Sequence, residues 1–368
     1  MATTAVAWHL ERHRCILHCH PEVRALMRPD AWSGAAILVV GTIQMVLAVE
    51  LRAARWTEVL LAAYFVGALL SHGLGVLIHE AAHNLISRRT WVNKLWAAVA
   101  NVPLVAPAAI GFRFEHLLHH RYLGDAGGLD TQAPTRAEAR FVGSSAVLKM
   151  LSFTFGRFLF RGRPAARVPR DGWLILNVAT QIAAMVPLTL YAGPRALVYL
   201  IVSALAAFGP HPLGARRLSE HLPVRVGQPT NSYYGILNWL SFNVGLHVEH
   251  HDFPAVPWRH LPRLRSVARE HYEHLFGIRS WTLLLAQYFF NPRYRVHHYI
   301  GMGPFLDDES TGNLPSLGRG ARGAAVTTLA LVGSHSNGER CMTAPDETLR
   351  RVPYPPRPAG DMPPTARP

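Results

Sequence analysis

Apolar residues are gathered in long blocks rather than spread at the spacing of a soluble core. Residues 34–51 are interrupted by little more than Gln44 and Glu50, and residues 59–78 by Ser71 and His72. Each block approaches the roughly 20 residues that cross a bilayer core at 1.5 Å rise per residue. A short link carrying Arg52 and Arg55 joins them, so they are predicted to form a transmembrane hairpin. A second hairpin is predicted from the blocks 173–191 and 196–212, separated by Ala-Gly-Pro-Arg. The apolar stretch 95–110 contains Asn101, Pro103 and Pro107, which disfavour a straight span and predict a segment lying at or dipping into the interface. Residues 146–162 mix aliphatic, aromatic and basic side chains at near-helical spacing, as a membrane-surface helix does.

The intervening stretches, 79–172 and 213–300, are mixed in polarity and are expected to fold as a cap on one face of the membrane. Residues 1–33 are polar and basic, lack the layout of a cleaved signal peptide, and are expected on the cytoplasmic side. Residues 307–368 turn to Gly, Ser, Thr and Pro and are expected to be a disordered tail. The predicted fold class is all-α: a multi-pass membrane domain over 34–300, with about four transmembrane helices in two hairpins and a cytoplasmic helical cap.

Composition sharpens this. Hydrophobic residues make up 49% and charged residues only 16%, against roughly 25% charged in soluble domains. A wholly disordered chain is excluded. The formal charge of +14 comes from Lys and Arg beside the apolar blocks, among them Arg88, Arg89, Lys94, Arg216 and Arg217. Such flanks mark cytoplasmic ends. No nucleic-acid motif accompanies them, and three cysteines are too few for a disulfide framework.

Histidine carries the chemistry. Three clusters stand out: His79 and His83; His116, His119 and His120; His247, His250 and His251. Their spacings of three and four put each group on one helix face. His221, after the last apolar block, is a ninth candidate. With the amino terminus cytoplasmic, two complete hairpins return the chain to one face before His79 and again before His221 and His247, so all nine imidazoles share a side of the bilayer. Nine nitrogens exceed one ion's needs, so two metals are expected, and thiolate-free imidazole ligation suits iron, copper or zinc. Glu80, Glu115, Glu220 and Glu249 adjoin these histidines and are candidates to accept the other ring N–H. His79-Glu80-Ala81-Ala82-His83 also matches the HExxH motif of zinc peptidases, an alternative that leaves the other clusters unexplained.

The HxxxH, HxxHH and HxxHH boxes resemble those of the integral-membrane fatty-acid desaturase and hydroxylase superfamily. Tyr233-Tyr234-Gly235, Asn243-Val244-Gly245, the run from His247 to Pro254, His119 to Gly124 and Ser219-Glu220-His221 resemble the sphingolipid Δ4-desaturase branch. The resemblance covers roughly residues 8–300. It implies two non-haem iron ions with dioxygen as co-substrate, ligated by His79, His83, His116, His119, His120, His221, His247, His250 and His251. The implied reaction is the introduction of a trans double bond into a sphingoid base or long acyl chain, with hydroxylation on the same scaffold as the alternative. Asn243, placed one helical turn before His247, is a candidate to hold a metal-bound water. The chain shows neither a dinucleotide-binding fingerprint nor a fused haem-binding segment, so a separate cytochrome b5-like or ferredoxin-like electron donor is expected. The location expected is integral to the membrane, with the histidine boxes cytoplasmic, in a bacterial inner membrane or the endoplasmic reticulum.

Overall fold

The computed structural model describes residues 4–125, 128–159, 168–225, 227–296 and 299, and the expected tail at 307–368 lies outside them. Among the described residues, three helices are long and apolar enough to cross a membrane: Trp32–Ala53, Trp56–Ala82 and Gly172–Ser219. We call their regular portions α2 (Trp32–Glu50), α3 (Trp56–Ala82) and α8 (Gly172–Phe208), with α1 (Thr4–Cys19) preceding them. The third stretch has 48 residues, about twice one crossing. It breaks at Gly193, whose φ of 72° and ψ of −171° interrupt the helix ahead of Pro194. Arg195 donates to the carbonyl of Arg52, and its guanidinium lies over Trp56, so this break sits beside the first hairpin's turn. At the other end of α8, Trp173 stacks under the Lys94 ammonium. From that turn the second half returns along α3, with Ser203 beside Gly67 and Phe208 beside Gly75, so the two halves of α8 run in opposite directions and the predicted second hairpin is present with its turn at Gly193.

The central span is α3: 56% of its apolar window is buried, against 22% for α2. Side chains such as Leu38, Ile43, Ile182 and Leu190 are left pointing outward, as lipid contact requires. Polar groups within the spans largely satisfy one another. Gln44 donates to the Gly67 carbonyl and to Ser71 Oγ, and accepts from Tyr199. A π-helical turn, Ala63–Gly67, brings α3 close to α8; a Cβ on Gly67 would stand 2.0 Å from Ser203 Oγ.

The stretch with Pro103 and Pro107 is bent by 115° between α4 (Thr90–Asn101, continued to Leu104) and α5 (Ala109–Tyr122), in agreement with a broken rather than a straight segment. Asn101 bridges the bend: its side chain accepts from Ala108 N and Ala109 N and donates to the Ala106 carbonyl. Beyond it lie α6 (Arg136–Val142) and α7 (Ala146–Leu159). Lys149 of α7 departs from the surface role: it is buried and donates to the carbonyls of Tyr288 and Asn291.

The remainder is a set of short elements: α9 (Arg216–Ser219), α10 (Leu237–Leu240), α11 (His247–Asp252), α12 (Leu261–Val267) and α13 (Trp281–Phe290). One small parallel pairing, Ser232–Tyr233 with Gly277–Ile278, ties them together. Tyr233 stacks on Trp281 at 3.9 Å, and the indole of Trp281 donates to Ser219 Oγ, locking α9 against α13.

Candidate metal centre

His79 lies in the last turn of α3, and His83 closes that helix. The turn is pinned by Arg113 of α5, which donates to the carbonyls of Ala81 and Ala82 and to Asn84 Oδ1. A guanidinium there meets both the open carbonyls and the negative end of the helix dipole. His116, His119 and His120 are on α5, His221 follows α9, and His247, His250 and His251 are on α11.

All nine meet, in two adjoining sets. His79, His83, His116, His120 and His250 form one; His119, His221 and His251 form the other, with His247 joined to it through His221. Within the first, Nε2 atoms of His83 and His116 are 2.8 Å apart, those of His116 and His120 3.0 Å, and those of His120 and His250 3.2 Å. Within the second, His221 Nε2 is 3.1 Å from the Nε2 of both His119 and His247. The stacked rings of His120 and His251, 4.1 Å between centroids, form the wall between the sets.

Nitrogens on the order of 3 Å apart match donors that share an ion at about 2.0–2.1 Å. Both ring nitrogens of His79 and Nε2 of His251 are buried without a hydrogen-bond partner among the described residues, which in a protein interior calls for one. Burial, followed by the positive charge of Arg113, holds His83 at about 3. Burial and neighbouring imidazoles likewise keep His247, His250 and His251 well below their ordinary value. Neutral rings keep a lone pair for a cation. The donor set fits one or two transition-metal ions.

The acidic partners divide. Glu220 Oε1 lies 3.4 Å from His247 Nδ1 and accepts from Arg216. Glu80 does not orient an imidazole: its Oε2 accepts from the Trp258 backbone, and its other oxygen is 4.0 Å from His79 Nδ1. Glu249 turns away, accepting from Ser232, Tyr234 and Arg265, and so anchors α11 from behind. At Glu115 the backbone carbonyl accepts from Thr131 Oγ1. Asn243 is not on a helix continuous with His247: it takes φ 53° and donates to the Trp258 carbonyl.

Several contributors carry no sequence signal. Asp130 Oδ1 lies 2.8 Å from His119 Nδ1; burial would raise this carboxyl, but His119 and the Gly124 N–H bring it down to about 2. The Gln132 amide is 2.9 Å from His116 Nδ1. Helix α1 closes over the second set: His9 bonds Asp252 Oδ1 and Thr230, Arg12 donates to Asp252 Oδ2, and the His9 ring lies 5.1 Å from that of His251. An open cleft of about 580 Å³, lined by Tyr234, Trp239, Asn243, Leu246 and Arg265 among others, borders the residue before His247.

The family model described as Fatty acid desaturase matches residues 54–282. A human sphingolipid delta(4)-desaturase/C4-monooxygenase is 38% identical over 286 residues, 77% of this chain and 88% of the relative. A sphingolipid delta(4)-desaturase from Arabidopsis thaliana is 36% identical over 282 residues, 76% of this chain and 84% of its own length. One from Drosophila melanogaster is 33% identical over 299 residues, 77% and 89% respectively.

Proposed function

Since the chain belongs to the fatty acid desaturase family, and is thereby an oxidoreductase of lipid chains, we propose that it introduces a double bond at C4 of a sphingoid base. The observation that carries the reading is the convergence of nine imidazoles from four distant segments into two adjoining sets beside apolar spans. We assign His79, His83, His116, His120 and His250 to one iron, and His119, His221, His247 and His251 to the other. The chemistry a bound iron pair supplies is dioxygen activation with removal of hydrogen from an unactivated carbon. Overall, a saturated pair of carbons, dioxygen, two electrons and two protons give an alkene and two waters, the electrons coming from a separate cytochrome b5-like or ferredoxin-like donor.

The protein's own part is positional. Asp130 fixes the ring orientation of His119, and the Glu220 carboxylate stands 3.4 Å from His247 Nδ1. Arg113 holds the turn between His79 and His83. Helix α1 keeps bulk water from the second set through His9, Arg12 and Asp252. The apolar spans hold the alkyl part of the lipid, so that its reacting carbon stays against the centre. Basic residues flanking the spans favour a cytoplasmic centre, in a bacterial inner membrane or the endoplasmic reticulum. The zinc-peptidase alternative accounts for His79 and His83 and leaves the seven other converging imidazoles without a role.

Hydroxylation at C4 is the second reading, favoured by relatives whose names carry both activities. Mass spectrometry of lipids from a host expressing the chain tests both: a product lighter by two hydrogens supports desaturation, and one heavier by one oxygen supports hydroxylation. Exchange of His250 for Ala is expected to abolish either product, and unchanged turnover would reject the assignment.

A further inference from the structure

His72 sits within α3, is 2% exposed, and has no hydrogen-bond partner at either ring nitrogen among the described residues. Its surroundings make that costly. An amide or hydroxyl left unbonded in an apolar setting loses roughly 2–7 kcal/mol, and ionisable side chains inside a span face a functional cavity far more often than lipid. Neighbouring polar groups of the spans, Gln44, Ser71, Tyr199 and Ser203, bond one another or the backbone and leave His72 out.

Position gives the imidazole a purpose. His72 precedes His79 by seven residues, two helical turns, so the two share a helix face about 10 Å apart by the rise per residue. The stripe His72, His79, His83 thus runs from the apolar span into the first histidine set. Two glycines beside it let aromatic rings approach: a Cβ on Gly75 would stand 2.6 Å from Phe208, and one on Gly73 2.8 Å from Phe242. The His72 ring itself lies 6.3 Å from that of Phe208. Asn177, also buried and unpartnered, is on α8 and shares no face with a ligand histidine.

We propose that His72 binds the polar head of the lipid, hydrogen-bonding a hydroxyl or the amide N–H of the sphingoid base while C4 lies at the centre. The inference rests on the sphingoid-base reading above. In such a base the amide and both hydroxyls sit on the three carbons next to C4, so a polar partner is needed close to the metals. A fatty acyl chain reacting at its middle has no polar atom there to satisfy the imidazole. His72 is therefore a specificity-determining residue for substrates that react near their head.

The test uses the full iron-loaded chain in nanodiscs, with binding measured for dihydroceramide and for its 1-deoxy, 3-deoxy and N-methyl-amide analogues. His72→Leu is expected to weaken dihydroceramide binding about 3- to 10-fold, the worth of one hydrogen bond, with iron content unchanged. It should add no further loss for the one analogue lacking the bonded group. Equal binding by the variant, or an equal loss for all four lipids, overturns the proposal. A second measurement needs no variant: dihydroceramide carrying a photoreactive group near its head should label residues 68–82 of the wild-type chain, and labelling confined elsewhere overturns the proposal. A wild-type chain that neither binds nor converts dihydroceramide removes the substrate reading as well. Conversion with an indifferent His72→Leu removes this inference alone.

Discussion

Replacing Asp130 by Asn changes one oxygen to nitrogen, and the surroundings determine what that does. Oδ1 receives the His119 ring N–H and the Gln132 backbone N–H, at 2.8 and 3.1 Å, while Oδ2 receives the Gly124 N–H and the Tyr299 hydroxyl, at 2.9 and 3.2 Å. An asparagine has a single acceptor oxygen, so it serves one pair and turns its own N–H₂ toward the other. Two buried donors are then opposed on the His119 side, or one on the Gly124 side, where the Tyr299 hydroxyl can turn to accept, at about 1–3 kcal/mol each. If the amide faces His119, the ring loses its orienting partner; if it faces Gly124, the loop holding residue 130 loosens. Either way the second histidine set weakens, by about 10- to 100-fold in metal affinity for a change of this kind. The assay is iron stoichiometry across a chelator series. Asp130→Asn should fall from two irons to one at chelator concentrations where the wild type keeps both, whereas Asp130→Ala should lose the ion sooner. Identical release curves for Asn and wild type, alongside clear iron loss in His119→Ala, would refute the reasoning.

Other outcomes follow from single contacts. Arg12→Leu leaves the buried Asp252 carboxylate with His9 as its remaining side-chain partner. A loss of about 3–5 kcal/mol is expected from breaking a buried pair, read as a lower thermal midpoint and faster proteolysis within residues 4–19. Gly67→Ala forces a methyl against Ser203 and Tyr199 and should destabilise by about 1–3 kcal/mol; Ser203→Gly should lower the midpoint less in the Gly67→Ala chain than in the wild type, and equal losses would place the strain elsewhere. Glu249→Gln should lower activity with both irons retained, because the carboxylate holds α11 through Arg265, Ser232 and Tyr234 rather than touching an imidazole. Iron loss in that variant would assign Glu249 to the centre instead.

The spans were legible because hydropathy is a local property. Gly193-Pro194 announced the second turn, and Pro103 with Pro107 announced the bend, since both residue types act on their own backbone. The histidine clusters were legible for a similar reason: spacings of three and four report which side chains share a helix face. What the spacing does not report is which faces meet. Asp130 and His119 are eleven positions apart in the sequence, and His9 and Asp252 are 243 apart. Lys149 looked like a surface cation and instead serves the open carbonyls at the end of α13. Adjacent glutamates looked like ring partners, yet a residue next to a helical histidine points about 100° away from it, which is why Glu249 anchors α11 from behind.

The second and third histidine boxes each divide between the two sets. On α5, His116 and His120 face one set while His119 faces the other; on α11, His250 faces the first while His247 and His251 face the second. Each of these helices is thus a crossbar between the two pockets, and its roll angle is common property. A lone ion that drew α11 toward itself would swing the partner imidazoles with it. Half-loaded protein is then expected to be a misaligned species rather than a half-active one: the occupied set keeps its ion, while the shared helices draw its imidazoles off the setting that two ions would share.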